Sequence, residues 1–175
     1  MSLKSFTTFQ INEIDFFVIS QNDKIIKIGI NEELPDDHLL IYKTLKDKLF
    51  KRCYSQLYEF FFKGRKKFDL AFELIGTDFQ ILVWKALEKI PYGKTVSYQD
   101  IAQKIKNPKA VRAVGLANKK NPLPILIPCH RVIGKNGNLV GYGGGLELKA
   151  KLLNLEKENI SRKIKKRPSK RGSNI

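Results

Sequence analysis

Residues 121–134 read Asn-Pro-Leu-Pro-Ile-Leu-Ile-Pro-Cys-His-Arg-Val-Ile-Gly, and the reading of the chain turns on them. Pro122 and Pro124 stiffen the approach, and Pro128 fixes the backbone immediately before the thiol of Cys129. Such a segment holds a side chain still without ladder hydrogen bonds. A thiol beside an imidazole has two readings. One is a core cysteine next to a polar histidine, since cysteine is among the most buried residue types. The other is a nucleophile with its base beside it, and the stiffened approach favours that one. Downstream, Lys135-Asn136-Gly137-Asn138 is a hairpin-turn signal. Leu139–Gly145 then carries glycines that let backbone approach a ligand closely.

Upstream of this stretch, Ser97 is placed to cap a helix over 98–105, with Ile101, Ala102 and Ile105 inward. Asn107-Pro108 reads as the cap and first position of a second helix, 108–118. Two short helices joined by a tight turn make a helix-turn-helix pattern. The second helix is slim at Ala110, Ala113 and Gly115 and carries Arg112. That suits a DNA minor groove better than a major groove; the alternative is a packing helix with Arg112 in an ordinary salt bridge. Before it, Thr77 caps a helix from 78 to about 90. Its apolar face is Phe79, Leu82, Val83, Ala86, Leu87 and Ile90, with Trp84 structural, and Pro91-Tyr92-Gly93-Lys94 is a turn.

Further out, 6–11, 14–20 and 24–30 read as a small antiparallel sheet. Pro35-Asp36-Asp37 reads as the start of helix over 37–50 and 53–63, ending at Gly64, with Cys53 in the core. Residues 68–74 read as a strand. A last helix over 146–158 carries Leu148, Leu152, Leu153, Leu155 and Glu156. The fold class is therefore α/β (α+β). An N-terminal supporting domain spans 1–76, a mainly helical, winged helix-turn-helix-like domain spans 77–160, and a basic tail spans 161–175, read as disordered.

The net charge is +16, unevenly spread. Residues 1–76 hold 12 basic against 11 acidic residues, 77–160 hold 14 against 6, and 161–175 hold 7 against none. The half containing the Cys-His pair is the basic half, which points to a polyanionic partner. Two cysteines and two histidines make neither a disulfide framework nor a structural zinc site. No long apolar run or leader-like segment is present, so the expectation is a soluble, cytoplasmic monomer, nuclear if the source is eukaryotic.

The run 121–132 resembles the active-site segment of the O6-alkylguanine-DNA alkyltransferases. Gly-Thr-Asp-Phe-Gln-Ile-Leu-Val-Trp at 76–84 and Pro-Tyr-Gly-Lys at 91–94 fit the same pattern. The likeness runs from about Gly76 to about Glu156, and the N-terminal third matches only in layout. It implies that Cys129 takes the alkyl group, with His130 as base and Asn121 bracing the segment. From the residues alone, Glu147, Glu156 and Glu158 are equal choices to orient His130; the resemblance points to Glu156. It implies that Tyr98 promotes base flipping and that Arg112 fills the vacated space, within a DNA-binding set that adds Gln99, Asn107, Ala110, Ala113 and Gly115. It implies a base pocket from Pro124, Tyr142, Gly143 and the backbone of Cys129 and Val132. The partner implied is double-stranded DNA containing O6-alkylguanine; no cofactor is implied, because the damaged DNA is itself the alkyl donor, and although some relatives carry zinc this sequence offers no ligand set for a metal. Competing readings are a non-catalytic lesion-binding protein, a Cys-His-Glu hydrolase and a transcriptional regulator.

Overall fold

The computed structural model describes residues 3–37 and 40–165. Strands β1 (Lys4–Ile11), β2 (Ile14–Gln21) and β3 (Lys24–Ile30) form an antiparallel meander. Its two tight turns place Asn12, Glu13, Asn22 and Asp23 at positive φ, as hairpin turns of this length require. The meander is as expected, but the next segment is not. In place of helix over 37–50 there is a short strand, β4 (Leu40–Tyr42), parallel to β1 and completing the order β3-β2-β1-β4. Helix α1 begins only at Lys48 and runs to Lys63. The reason is local. Asp47 accepts from the amides of Leu49 and Phe50 and fixes the start there, while Asp37 pairs with Lys4 at 2.8 Å rather than capping a helix.

Gly64, at φ 67°, ends α1. Phe50, Cys53, Leu57, Phe60 and Phe61 are buried, with Phe61 against Phe16 of the sheet and Phe60 edge-on to Tyr92 and His130, whereas Phe62 points out. The 68–74 segment is extended but bonds to the β3 backbone at one residue only, Ile25, through bonds to the Ala71 carbonyl and from the Glu73 amide. Helix α2 (Asp78–Glu88) starts at the predicted Thr77, in a reciprocal capping box with Gln80. Its inward face differs from the expected one. Leu82 is exposed, and Trp84 is buried with its indole N–H donating to the Ala117 carbonyl at 2.8 Å.

Strand β5 (Val96–Ser97) leads into α3 (Tyr98–Lys104), capped by Ser97 as expected. Helix α4 is Val111–Lys119, three residues later than the sequence indicates. Asn107 does not cap it. Lys106 adopts φ 59°, Asn107 accepts from the Ala110 amide in a turn, and Ala110 stands at the cap position with no side-chain bond. Ile101, Ala102, Val114 and Ala117 bury the seam between α3 and α4. The 135–138 turn forms, with Gly137 at φ 84°, but no hairpin strand follows it. Instead β6 (Val132–Ile133) pairs in parallel with β5. Helix α5 is longer than expected, Gly145–Lys165, so 161–165 continue it. The remainder of the basic tail lies outside the described residues. One apolar cluster joins β2, β3, α1, α2, α3, α4, the 123–132 segment and α5, so the sheet and the Cys-His segment share a core.

Candidate active site

The stretch before Cys129 is held by one side chain. Asn121 donates to the Ile127 carbonyl at 2.8 Å and accepts from the Leu123 amide at 3.0 Å, closing the loop on itself. Inside that loop Ile125 is buried at φ 73°. A β-branched residue there is strained, at a cost of roughly 1–3 kcal/mol, and the strain lies four residues from the thiol. Cys129, His130 and Arg131 then form one 3₁₀ turn, all three buried. The Cys129 carbonyl accepts from the Val132 amide and, at 3.4 Å, from the Asn118 side chain.

Glu156 lies at the centre of the charge arrangement. It is fully buried and accepts from His130 Nε2 at 2.9 Å, from Arg131 Nη2 at 2.8 Å and from the Gly93 amide at 2.7 Å. Arg131 Nε adds bonds at 3.1 Å to both carboxylate oxygens, and its Nη1 donates to the Ile90 carbonyl at 2.6 Å. The other two glutamates are elsewhere: Glu147 pairs with Lys151 and Glu158 with Arg162, all on the surface. Burial by itself pushes the Glu156 carboxyl up. The His130 and Arg131 bonds and charges outweigh it and hold the group down at about 2.

That ionised carboxylate fixes the histidine tautomer. A carboxylate only accepts, so Nε2 carries the ring proton. Burial pushes the His130 pKa down despite the pull of Glu156, so the ring is neutral. Nδ1 is then a free base, and it is buried with no hydrogen-bond partner among the described residues. Burial pushes the Cys129 thiol up to about 11; the Asn121 amide and the Lys149 charge offset part of that. At neutral pH the pair is thus a thiol beside a neutral imidazole.

Lys149 went unread in the sequence. It is fully buried, donates to the Val140 carbonyl at 2.7 Å and lies 5.9 Å from the Tyr98 ring. Burial lowers its pKa to about 8 although the charge of Cys129 pulls it up. The signal was present: Lys149, Leu152, Leu153 and Glu156 fall at i, i+3, i+4 and i+7, one inward face of α5. Asn118 and Arg131 were also passed over as site residues.

Around Cys129 is a cavity of about 50 Å³. Asn121, Pro124, Tyr142 and Gly143 line it, as does Asn118. Val132 is buried but is not among the residues that line it. Tyr142 Oη and Asn118 Oδ1 are buried without a partner among the described residues. The expected DNA-binding residues separate into two groups. Arg112, Ala113 and Asn107 are exposed. Tyr98, Gln99, Ala110 and Gly115 are half-buried: Tyr98 donates to the Val140 and Gly141 carbonyls, Gln99 to the Pro108 carbonyl, and Gly115 packs against the Tyr98 ring.

Comparison with known proteins matches residues 78–158 to the model of the 6-O-methylguanine DNA methyltransferase DNA-binding domain. The methylated-DNA–protein-cysteine methyltransferase of Methanosarcina mazei is 52% identical over 117 residues, 66% of this chain and 74% of that one. The constitutive enzyme of Bacillus subtilis is 42% identical over 165 residues, 90% of this chain and 98% of that one. A crystal structure of Mycobacterium tuberculosis OGT in complex with DNA superposes with a TM-score of 0.82 at 40% identity, covering 89% of this chain and 94% of that one. Among the described residues no helix is long and apolar enough to cross a membrane.

Proposed function

Because this DNA-binding chain belongs to the methylated-DNA–protein-cysteine methyltransferase family, we propose that it repairs O6-alkylguanine, and O4-alkylthymine as a second substrate, by moving the alkyl group to Cys129. The observation that carries this is the buried Cys129-His130-Glu156 arrangement, with Nε2 spent on Glu156 and Nδ1 left free. The thiol proton passes to Nδ1, directly or through a water. Sulfur attacks the alkyl carbon, and the carbon–oxygen bond breaks with its electron pair going to guanine O6. The proton held by His130 then neutralises the guanine, so the net change is thiol plus alkylguanine to thioether plus guanine. A thioether is not hydrolysed by an imidazole, so each molecule acts once. No cofactor enters.

A base within a duplex cannot reach a buried thiol, so the lesion must leave the stack. In this reading Arg112, exposed on α4, fills the space left behind, and the small Ala113 lets the helix approach the minor groove. Tyr98 exchanges its bonds to Val140 and Gly141 for the flipped guanine. Burial and the Cys129 charge raise its pKa, so it stays a hydrogen-bond donor rather than becoming a phenolate. Residues 1–76 act as the supporting domain and 77–160 as the DNA-binding and catalytic domain, in a cytoplasmic monomer.

The pH dependence of transfer tests the role of His130. The single-turnover rate on an O6-methylguanine duplex is expected to fall on the acid side below pH 6.5, as His130 protonates. It is expected to fall again above about 8, as Lys149 loses the charge that favours the thiolate. A log rate climbing with unit slope from pH 7 to 10 would mean that a preformed thiolate attacks and that His130 is not the base.

A further inference from the structure

The cavity at Cys129 has a wall that the family-like segment does not supply. Ile28, Ile30 and Glu32 line it from the far side. Ile28 and Ile30 are alternate residues of β3 and share one of its faces; Asn31 at positive φ turns the chain before Glu32, and Lys27 also lines the cavity. Two clasps fix that wall. The Ile28 amide donates to the Pro122 carbonyl at 2.8 Å, tying β3 to the braced loop before the thiol. Asn31, at φ 50°, exchanges bonds with Asp15 at 2.9 and 3.0 Å, which sets where Glu32 leaves the sheet. Ile28 and Ile30 are buried; Glu32 is exposed at the mouth.

We propose that this β3 wall sets the size of alkyl group the protein accepts, which makes the N-terminal segment a specificity element of the reaction. The proposal rests on the alkyl-transfer reading above. The cavity holds about 50 Å³ at the thiol, less than a guanine with its alkyl group needs at roughly 10–15 Å³ per water-sized sphere, so the entering base must displace part of the lining, and a larger alkyl group presses hardest on the walls nearest the thiol. The opposite side is Cys129 and the braced loop, where movement would misplace the nucleophile. The β3 side is therefore where added volume can be gained without disturbing the reacting atoms. Shortening Ile30 removes three carbons from the wall, and shortening Glu32 opens the mouth.

The test compares single-turnover rate constants on duplexes carrying O6-methylguanine or O6-benzylguanine. Wild type, Ile30→Ala, Ile30→Val, Glu32→Ala and a core control, Leu57→Ala on α1, are measured. The benzyl-to-methyl ratio within each variant is the readout, so a loss of folded protein cancels. The ratio is expected to rise at least roughly tenfold in Ile30→Ala, less in Ile30→Val and Glu32→Ala, and not in Leu57→Ala. A ratio unchanged in all three wall variants, or raised equally by the core control, overturns the proposal. Failure of the wild type to accept methyl from DNA overturns the transfer reading instead.

Discussion

Cys129→Ser is expected to lower alkyl transfer by roughly 10⁴-fold or more while lesion-DNA binding is retained. The substitution keeps the shape of the 3₁₀ turn and the Asn121 brace, and it leaves α4 untouched. What it removes is the ability to ionise: a serine hydroxyl does not give up its proton to a neutral imidazole as a thiol does, and its oxygen is a poor nucleophile toward an alkyl carbon. The other cysteine cannot substitute. Cys53 is wholly buried against the sheet, and burial pushes its thiol up to about 12. Transfer of a radiolabelled methyl group from duplex DNA to protein reads the rate, and a gel shift reads the binding. Activity within tenfold of wild type would show that another residue takes the alkyl group.

Glu156→Ala is expected to act on both stability and rate. It leaves the Arg131 guanidinium buried without its carboxylate and the Gly93 amide without an acceptor. Breaking a buried ion pair by removing one partner costs about 3–5 kcal/mol, which urea unfolding measures. It also frees the His130 ring to turn, so methyl transfer should drop beyond what the lost folded fraction explains. The wild type carries the matching pH signature. A carboxyl held at about 2 when folded, against 4.5 for the free group, contributes its stability above pH 4.5 and loses it as pH falls toward 2. The alanine variant lacks that part of the acid transition. A variant as stable as wild type with the same acid slope would mean that Glu156 is not the hub.

The Cys-His-Arg run, the capping boxes at Thr77 and Ser97, and the meander turns were legible because each is a short-range device. The oxygen that caps a helix or the Asn that turns a hairpin sits within three residues of what it fixes. The misreadings share the opposite cause. Leu40–Tyr42 is a strand only because β1, 36 residues earlier in register, is there to pair with it. Pro108 signalled a helix start, but the positive φ at Lys106 and the turn at Asn107 delay α4 to Val111. Ile125 in a left-handed conformation runs against its own preference, so no propensity could announce it; the Asn121 brace imposes it. Within the candidate site, the residues alone left three glutamates equal and only the family resemblance pointed to Glu156; the physical reason is that α5 packed against the 3₁₀ turn brings Glu156 to His130. Lys149 was legible in principle, as a cation on the inward face of α5. A charged residue amid leucines is easily read past unless the helical period is followed across it.

The most direct test is intact mass after mixing the protein with a slight excess of duplex carrying one O6-methylguanine. The expected result is a gain of one methyl group per protein molecule, located by peptide mapping on Cys129, with repair stopping at one equivalent. Repair that continues past one lesion per molecule with no mass change would contradict it, and would make the Cys129-His130-Glu156 arrangement that of a turnover enzyme.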